Sequence, residues 1–395
     1  MQKPCNSIHA NVASGSLFIP MPITKCIRGA CCVVFALILY PFSSIAPSVN
    51  GKALEPAAPI RYSIVSIIHG DGEYAYHDSS GDEHAADEDA LLKAKTVATQ
   101  NPNAEVFIFH EIPQKHFLIF FPLRDGEFYY YRGGRLIDSE SYRRYQDSFR
   151  FAPEIELYDR FHVEEQGGCV RLFLYFGHEI PEFAGYGYDE SHPERIFTVN
   201  DLAEGLKHIT HDSAKFDLVV LGTCYNGTPR TIESLAPYAQ YIVASPENLH
   251  LSYFDLSPLE HLETSLQSGG IAAFAKNFAQ NAFDKLTKEV ETAITVAVYD
   301  VDKTKPFLHY ARKDYERTMT TLATFTNVQP ESIAHCDCAE NTAYGFKGMN
   351  DGVEIFYRAP QFGRAKSIQN HSGWECWKDK VWQTTNRQLL ENAQK

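Results

Sequence analysis

Cys224 and His178 are the two residues whose types and spacing suggest covalent chemistry. A thiol is an effective nucleophile only as the thiolate, and a neighbouring imidazole is the base that generates it. Cys224 follows Phe216 to Leu221 (FDLVVL) and Gly222-Thr223, while His178 follows Cys169 to Phe176 (CVRLFLYF) and Gly177. Both runs are short, apolar and rich in β-branched or aromatic residues, which predicts buried strands. Between them Thr198 to Ile209 (TVNDLAEGLKHI) predicts a helix, with Thr198 or Asn200 as its cap and Leu202, Leu206 and Ile209 on one face. One strand–helix–strand step therefore separates the pair, 224 − 178 = 46 residues apart. Open parallel sheets carry their chemistry beyond the carboxyl ends of the strands, so both residues are expected at the same edge of adjacent strands. Asn226-Gly227 allows a tight turn after the cysteine. Backbone N–H groups of Cys224 and Glu179 are then candidates to face a developing oxyanion. The chemistry implied is thiolate attack on an acyl carbon.

The elements that must hold these residues recur along the chain. Arg61 to His69 (RYSIVSIIH) predicts a buried strand closed by Gly70-Asp71-Gly72, and Ala104 to His110 (AEVFIFH) predicts another. Ala90 to Thr99 predicts the helix between them, with carboxylates before its positive end. Phe117 to Leu123 and Gly126 to Ile137 predict further strands in a hairpin-like excursion turning at Gly133-Gly134. Thr231 to Tyr238 predicts a helix, and Tyr241 to Ser245 a strand. Strands and helices alternating in this way mean βαβ units and an α/β fold around a largely parallel sheet.

The 395 residues carry a formal charge of −14, with 44% apolar and 22% charged residues, as in an ordinary globular protein. The acidity argues against nucleic acid as a partner, because its phosphates would be repelled. Lys25 and Arg28 precede the apolar run Gly29 to Tyr40, and Ser44-Ile45-Ala46 offers small residues to a signal peptidase. This predicts a signal peptide over 1–46, a short linker over 47–59, a catalytic domain over 60–382 and a polar tail over 383–395. The apolar run is too short to span a bilayer, which takes about 20 residues, so no membrane span is expected once the leader is cleaved. A secreted, periplasmic or envelope location follows. Cys169, Cys224, Cys336, Cys338 and Cys376 then remain, an odd number that leaves one thiol without an intramolecular disulfide partner.

Phe216 to Leu249 (FDLVVLGTCYNGTPRTIESLAPYAQYIVASPENL) resembles the catalytic segment of the clostripain family of cysteine peptidases, relatives of caspases, gingipains and legumains. There a DLxxxDACLMG strand and turn carries the nucleophile, and a YxVAS-E strand follows. Leu174 to Ile180 (LYFGHEI) resembles the family's strand bearing its catalytic histidine. Arg61 to Tyr74 resembles its opening strand, and Asp351 to Gln361 with Ser372-Gly373-Trp374 its closing strand and terminal helix. The resemblance covers about residues 60 to 380. It implies a caspase-like three-layer α/β/α sandwich, a Cys224–His178 dyad, and hydrolysis of a protein or peptide substrate through an acyl-enzyme. Two positions depart from the pattern. The acid expected two residues before the nucleophile, in the pocket for a basic P1 side chain, is Gly222, and the glycine after the histidine is Glu179. Glu179, Asp217, Glu247 and Asp255 are the candidate replacements, with Gly222 and Glu247 assigned to the substrate pocket. These departures also open a second reading, an inactive peptidase fold that binds peptides.

Other constellations are weaker. His335-Cys336-Asp337-Cys338 with Cys376 lacks the paired spacing of a zinc module and suits disulfides, with Cys169 as a further partner. His208 and His211 have no evident third ligand. The acidic stretch from Asp71 to Asp89 lacks EF-hand spacing and reads as a solvated face, with calcium binding the alternative that the family resemblance leaves open; no metal or other cofactor is expected. Trp374, Trp377 and Trp382 read as a helix face docked on the core. The sequence shows no clear processing site, although Arg143-Arg144 is expected in an exposed connection before the catalytic strands.

Overall fold

The structure, a computed structural model, describes residues 59–363 apart from 310–351 and shorter stretches that include 71–74, 145–150, 183–187, 247–248 and 250–254. The leader, Glu247, Cys336, Cys338, Cys376, the three tryptophans and the polar tail lie outside the described residues.

The strands are β1 (Tyr62–His69), β2 (Ala75–His77), β3 (Glu83–Ala85), β4 (Ala104–Glu111), β5 (His116–Phe117), β6 (Phe121–Pro122), β7 (Gly126–Arg132), β8 (Arg135–Tyr142), β9 (Val170–Phe176), β10 (Phe216–Gly222), β11 (Ala239–Ala244), β12 (Ile294–Asp300) and β13 (Val353–Arg358). The helices are α1 (Ala86–Gln100), α2 (Ala152–Phe161), α3 (Val199–Ile209), α4 (Pro229–Leu235), α5 (Ser257–Glu260), α6 (Leu262–Gln267) and α7 (Gly270–Glu289). Nine strands form one sheet in the order β13-β12-β11-β10-β9-β1-β4-β7-β8. The five central strands, β11 to β4, run parallel, while β12–β13 and β7–β8 add antiparallel pairs at the two sides.

Side chains alternate across the sheet and fill two apolar layers. Val65, Phe107, Phe173 and Val219 point to one face and pack under Tyr158 of α2, Leu202 and Leu206 of α3, and Ile232 of α4. Ile64, Val106, Leu172 and Val220 point to the other, against Val97 of α1 and Phe274 and Phe278 of α7. The result is the expected three-layer α/β/α sandwich. Its central strands are buried on both faces, which is why β1 and β4 read as unbroken runs rather than alternating ones.

Thr198, not Asn200, caps α3. The Asp201 backbone N–H donates to Thr198 Oγ1 (3.4 Å), and the Thr198 N–H donates to Asp201 Oδ2 (2.7 Å), a reciprocal capping box. Of the strand expected over Phe117 to Leu123, the described residues fall in β5 and β6, which pair antiparallel with His116 opposite Pro122 and Phe117 opposite Phe121. Among the described residues no helix is long and apolar enough to cross a membrane.

Candidate active site

The β9–β10 ladder ends with Phe176 opposite Gly222, an offset of 46 residues (222 − 176). His178 and Cys224 share that offset, each two residues beyond the last rung of the ladder and at its carboxyl edge. Side chains then resume the pairing in the same register. The buried Asn226 amide accepts from the Ile180 N–H through Oδ1 (2.9 Å) and donates from Nδ2 to the Ile180 carbonyl (2.8 Å). Two residues further, the Thr228 hydroxyl donates to the carboxylate of Glu182, which also accepts from Thr231 Oγ1 (3.2 Å). The partners are 46 residues apart for Ile180 with Asn226 and for Glu182 with Thr228.

The turn itself is specified by sequence. Tyr225 adopts a φ of 55°, a left-handed conformation costly for a side-chain-bearing residue. Asn226 Oδ1 accepts a second hydrogen bond from Thr223 Oγ1 at 2.6 Å, tying the start of the turn to its end. A Cβ on Gly227 would lie 2.6 Å from the Pro246 nitrogen, so no larger residue fits. Cys224 is 1% exposed, and Leu249 lies over it. The thiol and the Leu249 carbonyl oxygen are 3.4 Å apart, as are the Leu249 N–H nitrogen and the sulfur, so the main chain of Leu249 engages the sulfur as both acceptor and donor.

The acids proposed for the substrate pocket fall in different places. Asp217 is at the amino end of β10, where it accepts from the Arg171 N–H at 2.8 Å. Five residues of strand put it roughly 16 Å from Gly222, too far to replace a carboxylate there. Asp255 accepts from both the backbone and the hydroxyl of Ser257 at the start of α5. Glu179 stays half-buried beside His178 at the relevant edge. In the acidic stretch, Asp87 pairs with His110 (2.9 Å) and Asp89 accepts from Tyr76 (2.8 Å). His208 closes α3, and His211 lies beyond it, 3.5 Å from Asp159. Among the described residues no group of three or more His, Cys, Asp or Glu side chains is placed to hold a metal ion.

A buried ionic cluster escaped the reading of the sequence. His69, at the end of β1, presents Nδ1 to Glu111 Oε2 (2.5 Å) and stacks on Tyr188 with ring centroids 4.3 Å apart. Arg144 bridges Glu111 and Glu154, bonding the latter at 3.0 Å through Nε, and its side chain is 9% exposed. This corrects the expectation of an exposed Arg143-Arg144 site: Arg143 is exposed, but Arg144 is enclosed. The cluster reaches the His178 loop through Gly177, where a Cβ would lie 2.8 Å from His69 Cβ. A histidine-glycine pair closing a buried strand was the available signal, since Gly177-His178 closes β9 in a similar way.

Burial alone would raise the Glu111 carboxyl, but Arg144 and then His69 outweigh it and hold it at about 2, against an ordinary 4.5. A depressed folded-state value contributes stability above the ordinary value and loses it as pH falls from 4.5 towards 2. Glu154 acts in the opposite sense. Burial and the Glu111 charge raise it despite Arg144, so mild acidification relieves it. Stability should therefore hold or rise slightly from neutrality to about pH 4.5, then fall steeply below it. Urea denaturation from pH 6 to 2.5 checks this, and an acid limb equally steep in Glu111→Gln would remove Glu111 as its source.

A mostly parallel sheet between two helical layers, in a chain whose sequence matches a cysteine-peptidase family over residues 176–385, defines the class: a cysteine peptidase built on an α/β/α sandwich. The chain belongs to the clostripain family, whose sequence model (peptidase C11) matches residues 176–385, more than half of its length. No curated protein matches it. Among solved structures it is similar to a secreted C11 cysteine protease of Bacteroides thetaiotaomicron, "iotapain", at 10% identity and a TM-score of 0.43 over 68% of this chain and 72% of that one. A secreted C11 protease from the same organism bound to an irreversible peptide inhibitor gives 12%, 0.45, and coverages of 82% and 83%. An inactive zymogen C11 protease of Parabacteroides distasonis gives 14%, 0.42, and coverages of 67% and 68%.

Proposed function

We propose that the chain is an exported endopeptidase in which His178 takes the proton of Cys224 and the thiolate attacks a peptide carbonyl. The backbone N–H groups of Cys224 and Glu179 stabilise the oxyanion, and His178 returns the proton to the leaving amine. Water, activated by the same histidine, then hydrolyses the thioester. The observation that carries this reading is the 46-residue register, kept by Phe176 with Gly222 before the pair and by Ile180 with Asn226 after it. For attack, the main chain of Leu249 must release the sulfur, and the substrate main chain takes its place. Gly222 supplies no carboxylate, so a basic P1 side chain is not selected at that position; an unpaired buried guanidinium there would be costly.

The departures at Gly222 and Glu179, together with the covered thiol, favour one competing reading, a peptide-binding protein without turnover. Labelling separates the two. The purified chain is treated with an acyloxymethyl-ketone peptide probe, alongside Cys224→Ala and urea-denatured protein. The enzymatic reading expects labelling of the folded chain that is faster than that of denatured protein and absent in Cys224→Ala. Labelling no faster than that of the denatured chain rejects it.

A further inference from the structure

We propose that Asn226 is a positioning residue for the reaction: its amide clasps the loop carrying His178 to the turn carrying Cys224 and so sets the distance between imidazole and thiol. The inference rests on the dyad assignment above and deepens it. Among the described residues, the backbone pairing of the two strands ends where the Gly177 N–H donates to the Gly222 carbonyl at 3.4 Å. The Asn226 amide takes over there, using Oδ1 for the Ile180 N–H and the Thr223 hydroxyl, and Nδ2 for the Ile180 carbonyl. Asn226 is fully buried, so no water substitutes for these bonds at the surface. It also belongs to the turn that Tyr225 holds in left-handed backbone, and that conformation persists only while its surroundings enforce it. In the family pattern quoted above this position is methionine, which cannot form such a clasp. Asn226 is thus a feature of this chain rather than of the motif.

The amide is the group that matters, because it both donates and accepts. Asn226→Asp keeps the shape and the acceptor but sets a carboxylate against the Ile180 carbonyl oxygen. Protonation of that carboxyl restores a donor. Among the described residues, the other titratable groups on the elements packed around position 226 include His178, Glu179 and Glu182 on the β9 side, Cys224 and Tyr225 in the turn, His69 against Gly177, and Tyr299, whose hydroxyl donates to the Gly227 carbonyl at 3.0 Å.

The test measures the pH dependence of Cys224 alkylation by iodoacetamide and of peptide hydrolysis in wild type, Asn226→Ala, Asn226→Asp, His178→Ala and the Asn226→Ala/His178→Ala double variant. Asn226→Ala should lower kcat about 10²-fold with KM nearly unchanged, the scale of a 1 Å misplacement, and should move the alkylation profile towards that of an ordinary thiol. Asn226→Asp should recover on the acid side of its profile, which a merely structural defect would not do. In the His178→Ala background, Asn226→Ala should add less than about threefold, because the residue acts through the histidine. An alkylation profile unmoved in both Asn226 variants, with His178→Ala still shifting it, overturns the clasp alone. A profile unmoved by His178→Ala overturns the dyad and the clasp together. Near-UV circular dichroism identifies any variant that does not fold, and the remaining Asn226 variant then decides.

Discussion

Replacing His178 with alanine is expected to lower kcat for peptide hydrolysis by about 10²- to 10⁴-fold, the usual contribution of a positioned general base, with little change in KM. Cys224→Ala should abolish turnover, and combining the two should cost no more than Cys224→Ala alone, since groups acting as a unit are not additive. The geometry behind this is the continuous register of β9 and β10, which puts both residues at one step past the sheet. Steady-state kinetics on a fluorogenic peptide, with P1 varied, provide the measurement. A His178→Ala variant within threefold of wild type would move the role of base to another group.

The second large effect concerns stability. Arg144→Ala should destabilise the fold by about 3–5 kcal/mol at neutral pH, because it leaves Glu111 and Glu154 buried without their shared cation. Both carboxylates would then rise and take up protons, so the deficit should shrink as pH falls to 5. The triple variant Arg144→Met/Glu111→Gln/Glu154→Gln should regain most of the loss, since removing all the charges is far less costly than orphaning two. Urea midpoints at pH 7.5 and pH 5 for wild type, Arg144→Ala and the triple variant decide the matter. A loss under about 1 kcal/mol would mean that water reaches the cluster and solvates it.

Much of the frame was legible because the central strands are buried on both faces and write themselves as apolar runs. The boundaries of β1, β4, β9 and β10 fall within one residue of expectation, and Gly133-Gly134 turns β7 into β8. Less visible were α2, α7 and β12. In α7 the apolar positions Phe274, Phe278, Ala282 and Leu286 are separated by alanines and charges that blur the stripe. The candidate site was legible as strand-end residues, because a parallel sheet converts sequence order into position along one edge. The ionic cluster was not, since Glu111, Arg144, Glu154 and Tyr188 come from four separate segments that only the folded chain assembles. Asn226 was visible as a turn former. Its amide contacts depend on a loop 46 residues away and leave no trace in local pattern.

The backbone of Leu249 across the Cys224 sulfur also bears on how the protein endures where it is proposed to work. Outside the reducing cytosol a reactive thiolate meets peroxides, and each oxidation step from sulfenic acid onward is governed by exposure as much as by acidity. The sulfur of a cysteine that is 1% exposed, in contact with a main-chain amide, is sheltered from that chemistry while the protein rests. The contact that substrate is proposed to displace is thus also a guard against chemical ageing, and on that proposal the risk of damage is confined to the intervals in which the site is open.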